Sequence, residues 1–209
     1  QKVKVTKAEA KMSENKDLSN IPLRDGQSYT VRQLMQMSVI KSADAATVVL
    51  ARANSDSSQE FVQKMNKVAA QMGMKKYRFY NPVGLENGDM GQFKLKNASN
   101  DAENSMTATD VAKMGRYLQK NDPLVLQYAK QTGVSVDGKK YPTLNTRPPG
   151  QKDAPRQVKI AGLKTGTSDK AGQCFISLGY YEGRPIVTVV MHAADRFAST
   201  KQLYQYVAN

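Results

Sequence analysis

Lys164, Thr165, Gly166 and Thr167, within "AGLKTGTSDKAG" (residues 161–172), are the residues whose types and order suit binding of an anionic substrate. An ammonium group and two hydroxyls can hold a carboxylate. A glycine leaves room for close approach. The apolar run before them, "QVKIAGL", reads as a strand, so the group falls at a strand end. A strand edge offers its N–H and C=O groups to an extended peptide. Alone, Lys-Thr-Gly reads equally well as a strand-to-turn transition in a lysine-rich chain. Far upstream, Ser42-Ala43-Asp44 lies between two helical stretches and supplies a further hydroxyl and a carboxylate. His192 is the only histidine, so any Ser–His pair would have to use it. Cys174, the only cysteine, sits in "QCFISL" and reads as a small buried hydrophobe. No intrachain disulfide can form, and metal sites built from several His or Cys are excluded. No cofactor is implied.

The elements that must position these groups follow from periodicity. Residues 28–40 read as a helix, with Val31, Leu34, Met35 and Ile40 apolar. Residues 44–55 read as a second, largely buried helix. Residues 58–73 give a third, with Phe61, Met65, Val68 and Met72 on one stripe and Gly73 at its end. Residues 107–121 give a fourth, and 197–208 a closing helix. The polar stretch 86–105 is a long loop, and long loops are often functional. Asp137-Gly138 marks a hairpin within 134–141. "TRPPGQKDAPRQ" (146–157) reads as another loop. Residues 157–166, 172–181 and 184–193 read as strands, the last two joined by the tight turn Glu182-Gly183. Helices in the middle and strands at the end imply an α+β fold: an antiparallel sheet flanked by helices.

Composition narrows the partners. Lys and Arg number 31 against 18 Asp and Glu, a net charge of +13, which favours anionic partners. Nucleic acid would rest on charge alone, since only "KKYRFY" (75–80) sets basic residues beside aromatics, and it is not expected. No apolar run approaches the roughly 18 residues of a membrane span. The chain starts at Gln1 without a signal-peptide pattern, so either it is made as it stands or an upstream part has been removed.

The motifs together carry more than each alone. S-x-x-K, a serine-centred second motif and K-T-G form the signature of penicillin-binding proteins and class A β-lactamases. Ser42-Ala43-Asp44 and Lys164-Thr165-Gly166 stand in that order. Along nearly its whole length the chain resembles the D-alanyl-D-alanine carboxypeptidases among the low-molecular-mass penicillin-binding proteins. "YTVRQLMQMSVIKSADAA", "NPVGL" (81–85), "MTATDVAKMGRYL" and "KTGTSDKAG" (164–172) carry the resemblance. It implies a β-lactamase/transpeptidase-like fold and an enzyme acting on a peptidoglycan stem peptide ending in D-Ala-D-Ala. A serine attacks the penultimate carbonyl to give an acyl-enzyme. Ser42 would match the second-motif serine that passes a proton to the leaving amine. Lys164 would support that transfer electrostatically. Thr165 and Thr167, with Gly166 between them, would hold the terminal carboxylate, aided by Arg147 in "LNTRPPG". The Thr167 N–H would donate to the oxyanion. β-Lactam antibiotics would acylate the same serine, and the location would be extracytoplasmic.

Two features depart from the family pattern. Ser13-Glu14-Asn15-Lys16 and Ser38-Val39-Ile40-Lys41 match S-x-x-K by letter, yet neither suits the nucleophile, which opens a buried helix further upstream of the second motif. The expectation is a C-terminal part of one carboxypeptidase domain (1–209), incomplete at the N-terminus. A helical region spans about 28–130 and a strand-rich region about 132–209. The segment with the nucleophile would lie upstream or on another chain, and this chain alone would be inactive. The second departure is Asp44, where the family usually has Asn. An ionised Asp cannot donate a hydrogen bond, and it adds negative charge near Lys164. A non-catalytic wall-binding pseudoenzyme and a β-lactamase are the alternative readings; for the latter, no convincing E-x-x-x-N signal follows "NPVGL".

Overall fold

The computed structural model describes residues 1–145 and 158–208. The expected loop at 146–157, and Arg147 with it, lies outside the described residues. The chain opens with strand β1 (Lys2–Lys4) and helix α1 (Lys7–Ser13). Thr6 and Glu9 form a capping box at the start of α1. Strand β2 (Ser28–Thr30) pairs antiparallel with β1, setting Val3 opposite Tyr29. Helix α2 (Val31–Lys41) follows. The helix expected from residue 28 therefore starts later. Thr30, not Ser28, is its cap, and Gln33 three residues on completes the capping box.

Helices α3 (Asp44–Asn54) and α4 (Ser58–Gln71) fall close to expectation. The buried positions of α4 are Val62 and Ala69, while Val68 is exposed, so the packed face is turned from the expected stripe. Short strands β3 (Tyr77–Arg78) and β4 (Ser105–Met106) pair and close the long polar segment into a loop. That loop contains a 3₁₀ segment, Asn87–Phe93. It is pinned from inside by buried Asn87, whose amide donates to Leu95 O, Ala98 O and Ser99 O and accepts from Leu95 N–H. Helices α5 (Ala108–Asn121) and α6 (Pro123–Ala129) come next. The hairpin of β5 (Gly133–Val136) and β6 (Lys139–Pro142) turns through Asp137 and Gly138, both at positive φ, as a two-residue hairpin loop requires.

The main sheet has the order β7-β8-β9, all antiparallel: β7 (Val158–Ser168), β8 (Gly172–Tyr181) and β9 (Arg184–Ala193). Side chains of a strand alternate between faces, and β8 shows what each face meets. On one face Leu178 packs with Leu126 and Ala129 of α6, and Ile176 presses on Gly115 of α5. A Cβ at Gly115 would come within 2.6 Å of Ile176 Cδ1, so glycine lets α5 lie close to the sheet. On the other face Phe175 meets Phe197 edge-on at 5.3 Å, and Ser177 bonds the Tyr204 hydroxyl at 2.9 Å. Both aromatic partners belong to α7 (Arg196–Ala208). The sheet is thus sandwiched between helices, as the α+β reading expects. A second, larger core joins α1, α2 and α3 to the β1–β2 pair and the β5–β6 hairpin, with Leu34, Met37 and Ile40 fully buried. Among the described residues no helix is long and apolar enough to cross a membrane.

Candidate active site

The site forms where α2 ends and β7 passes. Helix α2 stops at Ser42, which takes a left-handed conformation (φ 59°, ψ 41°). For a residue with a Cβ this costs on the order of 1 kcal/mol. The surroundings hold it there. Ser19 Oγ donates to Lys41 O, Asp44 N–H donates to Ser19 O, and Ala45 N–H donates to Asn20 Oδ1. The result aims Ser42 at the sheet: Lys164 Nζ donates to Ser42 Oγ at 2.8 Å and to Thr165 O at 2.8 Å.

Asp44 opens α3 and is buried. Burial pushes its carboxyl up to about 7, with the positive charge of Lys164 opposing the rise. Burial pushes Lys164 down to about 8, with Asp44 resisting and Arg196 adding to the fall. Acid and base are thus brought from opposite ends of the scale to near neutrality.

Strand β7 is the edge of its sheet, and Gly166 lies open, with no atom within 4 Å of a would-be Cβ. Thr165 N–H points away from β8, donating to Asn145 Oδ1 at 3.2 Å. Along a strand, every second residue turns its N–H to the same edge. Thr167 N–H therefore shares the free edge with Thr165. The two threonine hydroxyls differ. Thr165 Oγ1 turns into segment 143–145, bonding Leu144 O at 3.1 Å. Thr167 Oγ1 accepts from the Arg196 guanidinium, which also donates to Gly166 O at 2.8 Å and Cys174 O at 3.0 Å. Gln173 Oε1 accepts from Arg196 Nε and fixes its orientation.

Arg196 was not singled out from the sequence. The signal was there: two tight hairpins fold residues 166, 174 and the end of β9 onto one end of the sheet, and Arg196 follows that end.

The far end of the motif is braced by the loop of residues 86–105. Ser168 donates to Glu103, Lys170 pairs with Glu86 at 2.6 Å, and Lys170 also donates to Asp101 O. The loop starts from "NPVGL", where buried Asn81 accepts from Val83 and Gly84 N–H and donates to Leu85 O.

Both letter matches to S-x-x-K are engaged elsewhere. Ser13 is buried at the end of α1, donating to Ala10 O and accepting from Leu23 N–H. Ser38 bonds Thr47 Oγ1 at 2.7 Å. The structure thus brings Ser42, Asp44, Lys164, Thr165, Gly166 and Thr167 together and adds Arg196.

This architecture is that of the penicillin-binding proteins. The chain superposes over its full length on a crystal structure of PBP3, a peptidoglycan synthesis regulatory factor from Streptococcus pneumoniae, with a TM-score of 0.91 and 29% identity, covering 57% of that chain. It also matches penicillin-binding protein 5 of Haemophilus influenzae, with a TM-score of 0.80 and 24% identity, over 99% of this chain and 55% of that one. A family model described as D-alanyl-D-alanine carboxypeptidase, Peptidase S11, matches residues 1–195, and the chain belongs to that family. The D-alanyl-D-alanine carboxypeptidase DacF of Bacillus subtilis is 29% identical over 186 residues, 84% of this chain and 41% of the relative. The chain spans about half the length of these relatives.

Proposed function

We propose that this chain supplies two walls of the active site of a serine-type D-alanyl-D-alanine carboxypeptidase. The whole protein would remove the last D-alanine from peptidoglycan stem peptides and be acylated by β-lactams. The observation that carries this reading is the Lys164–Ser42 contact at the head of an open strand edge, in a chain of this family. The stem peptide lies along β7. An attacking serine hydroxyl adds to the carbonyl of the penultimate D-alanine. Thr167 N–H, facing the same edge, stabilises the oxyanion. Ser42 passes a proton to the departing amine of the terminal D-alanine, with Lys164 supplying positive charge. The terminal carboxylate sits against Arg196 and the Thr167 hydroxyl, with Thr165 and Gly166 lining the same strand end; the resemblance adds Arg147 as a further carboxylate ligand. Water then releases the acyl group.

On this reading the attacking serine belongs to a segment outside these 209 residues, and the engagement of the Ser13 hydroxyl with Ala10 O and of the Ser38 hydroxyl with Thr47 Oγ1 supports it. On this reading residues 1–209 form the C-terminal part of one penicillin-binding domain and are inactive alone. Activity lies outside the cytoplasmic membrane, where the substrate is. The test is D-alanine release by the full-length protein from a peptide ending in D-Ala-D-Ala, together with uptake of a fluorescent penicillin. Release and labelling are expected; if the full-length protein shows neither, the reading is wrong.

A further inference from the structure

The contact between Ser42 and Lys164 joins two side chains 122 residues apart. One buried side chain ties their backbones. Asn145 is fully buried. Its Nδ2 donates to Val39 O, in the last turn of α2. Its Oδ1 accepts from Thr165 N–H at 3.2 Å and from the Thr165 hydroxyl at 3.3 Å. Leu144 repeats the pattern, its N–H donating to Ile40 O at 3.1 Å and its carbonyl accepting from Thr165 Oγ1. Asn145 N–H is held in turn by Thr143 Oγ1.

The last four carbonyls of a helix lack intrahelical partners. In α2 the carbonyls of Val39, Ile40 and Lys41 are taken by Asn145, Leu144 and Ser19. The cap of α2 is therefore the same object that grips β7 one residue from Lys164. The carbonyl it holds is three residues before Ser42.

Building on the carboxypeptidase reading above, we propose that Asn145 is a positioning residue for that reaction: its amide sets the spacing between Ser42 and Lys164. Its hydrogen bonds go to neither group but to Val39, Thr143 and Thr165. It acts by fixing both backbones. Without the amide, the part-buried Val39 carbonyl and Thr165 N–H lose their partner, and relief comes from moving β7 away from α2 or admitting water. A misplacement near 1 Å at reacting groups can cost on the order of 10²-fold in rate.

The test uses the full-length protein and two variants. Asn145→Ala removes both arms, while Asn145→Asp keeps the acceptor facing Thr165 and loses the donor to Val39. Acylation by a fluorescent penicillin is followed across pH, reading rate and final labelled fraction separately. For Asn145→Ala we expect acylation slowed roughly 10- to 100-fold, with the labelled fraction at completion unchanged. The alkaline limb set by Lys164 should move up from about 8, because a loosened lysine regains water. Asn145→Asp should recover part of the rate. The inference is overturned if rate and limb match wild type, or if the labelled fraction falls while the rate per active site holds. Should Asn145→Ala fail to fold, Asn145→Asp is read by the same criteria. If wild type takes up no penicillin, the carboxypeptidase reading has failed instead. The brace is then tested by NMR titration of Lys164 in the full-length protein: an upward shift in the variants supports it, and no shift sinks it.

Discussion

Asp44→Asn isolates the cost of an acid where the family usually has an amide. Asp44 is 9% exposed, and burial carries its carboxyl from an ordinary 3.8 to about 7. A folded-state pKa raised above the unfolded one means the native state binds the proton more tightly. The group thus contributes stability that is fully present below pH 4 and is lost as pH rises through about 7. Holding the ionised form in the fold costs roughly 4 kcal/mol at most, at about 1.4 kcal/mol per pKa unit. Asn keeps the shape and never ionises. Near pH 4 the variant and wild type should unfold alike. At pH 8 the variant should be more stable by roughly 2–4 kcal/mol, raising Tm by about 5–15 °C for a chain of this size. Urea unfolding of the 209-residue chain at the two pH values measures this. Equal stability differences at both, or a variant weaker at pH 8, would refute the assignment of Asp44 as a buried, reluctantly ionised acid.

Other outcomes follow from the same geometry. Arg196→Ala in the full-length protein should raise KM for a D-Ala-D-Ala peptide roughly 10-fold or more, since a charge-assisted contact is worth about 1.5–3 kcal/mol. A peptide with an amidated C-terminus should lose the difference between variant and wild type in steady-state kinetics. Arg52→Ala strips the charged partner from fully buried Glu9, which keeps its bonds from Thr6. The expected cost is about 2 kcal/mol, below that of a fully buried pair because Arg52 is 42% exposed; urea unfolding checks it. Gly179→Ala would drive a Cβ to 2.8 Å from the Tyr204 ring. It should destabilise by about 1–3 kcal/mol, visible as a lower Tm.

Local chemistry was legible where it is strong. The places of the Asp137-Gly138 and Glu182-Gly183 turns, the antiparallel pairing of the last two strands and the helices at 44, 58 and 107 could be read from turn residues and periodicity. What escaped was set by long-range pairing. The strand at Ser28 exists because Tyr29 faces Val3 across β1, which no local period announces. Helix α1 is short, and the partner of its buried Glu9 is Arg52, 43 residues away. In α4 the neighbours, not the apolar count, decided that Val62 and Ala69 go inside. The order of Ser42 and Lys164 was readable from motif spelling. Their 2.8 Å contact, and the contacts of Asn145 and Arg196, depend on where α2, β7 and β9 meet in space.

The central claim is that Ser42, Lys164, Thr167 and Arg196 serve a serine held elsewhere. Mass spectrometry of the full-length protein after reaction with a penicillin tests it most directly. The account predicts a single penicilloyl adduct on a serine outside residues 1–209, formed far more slowly when Lys164 is replaced by Ala. An adduct on Ser13, Ser38 or Ser42, or unchanged acylation in Lys164→Ala, would contradict it.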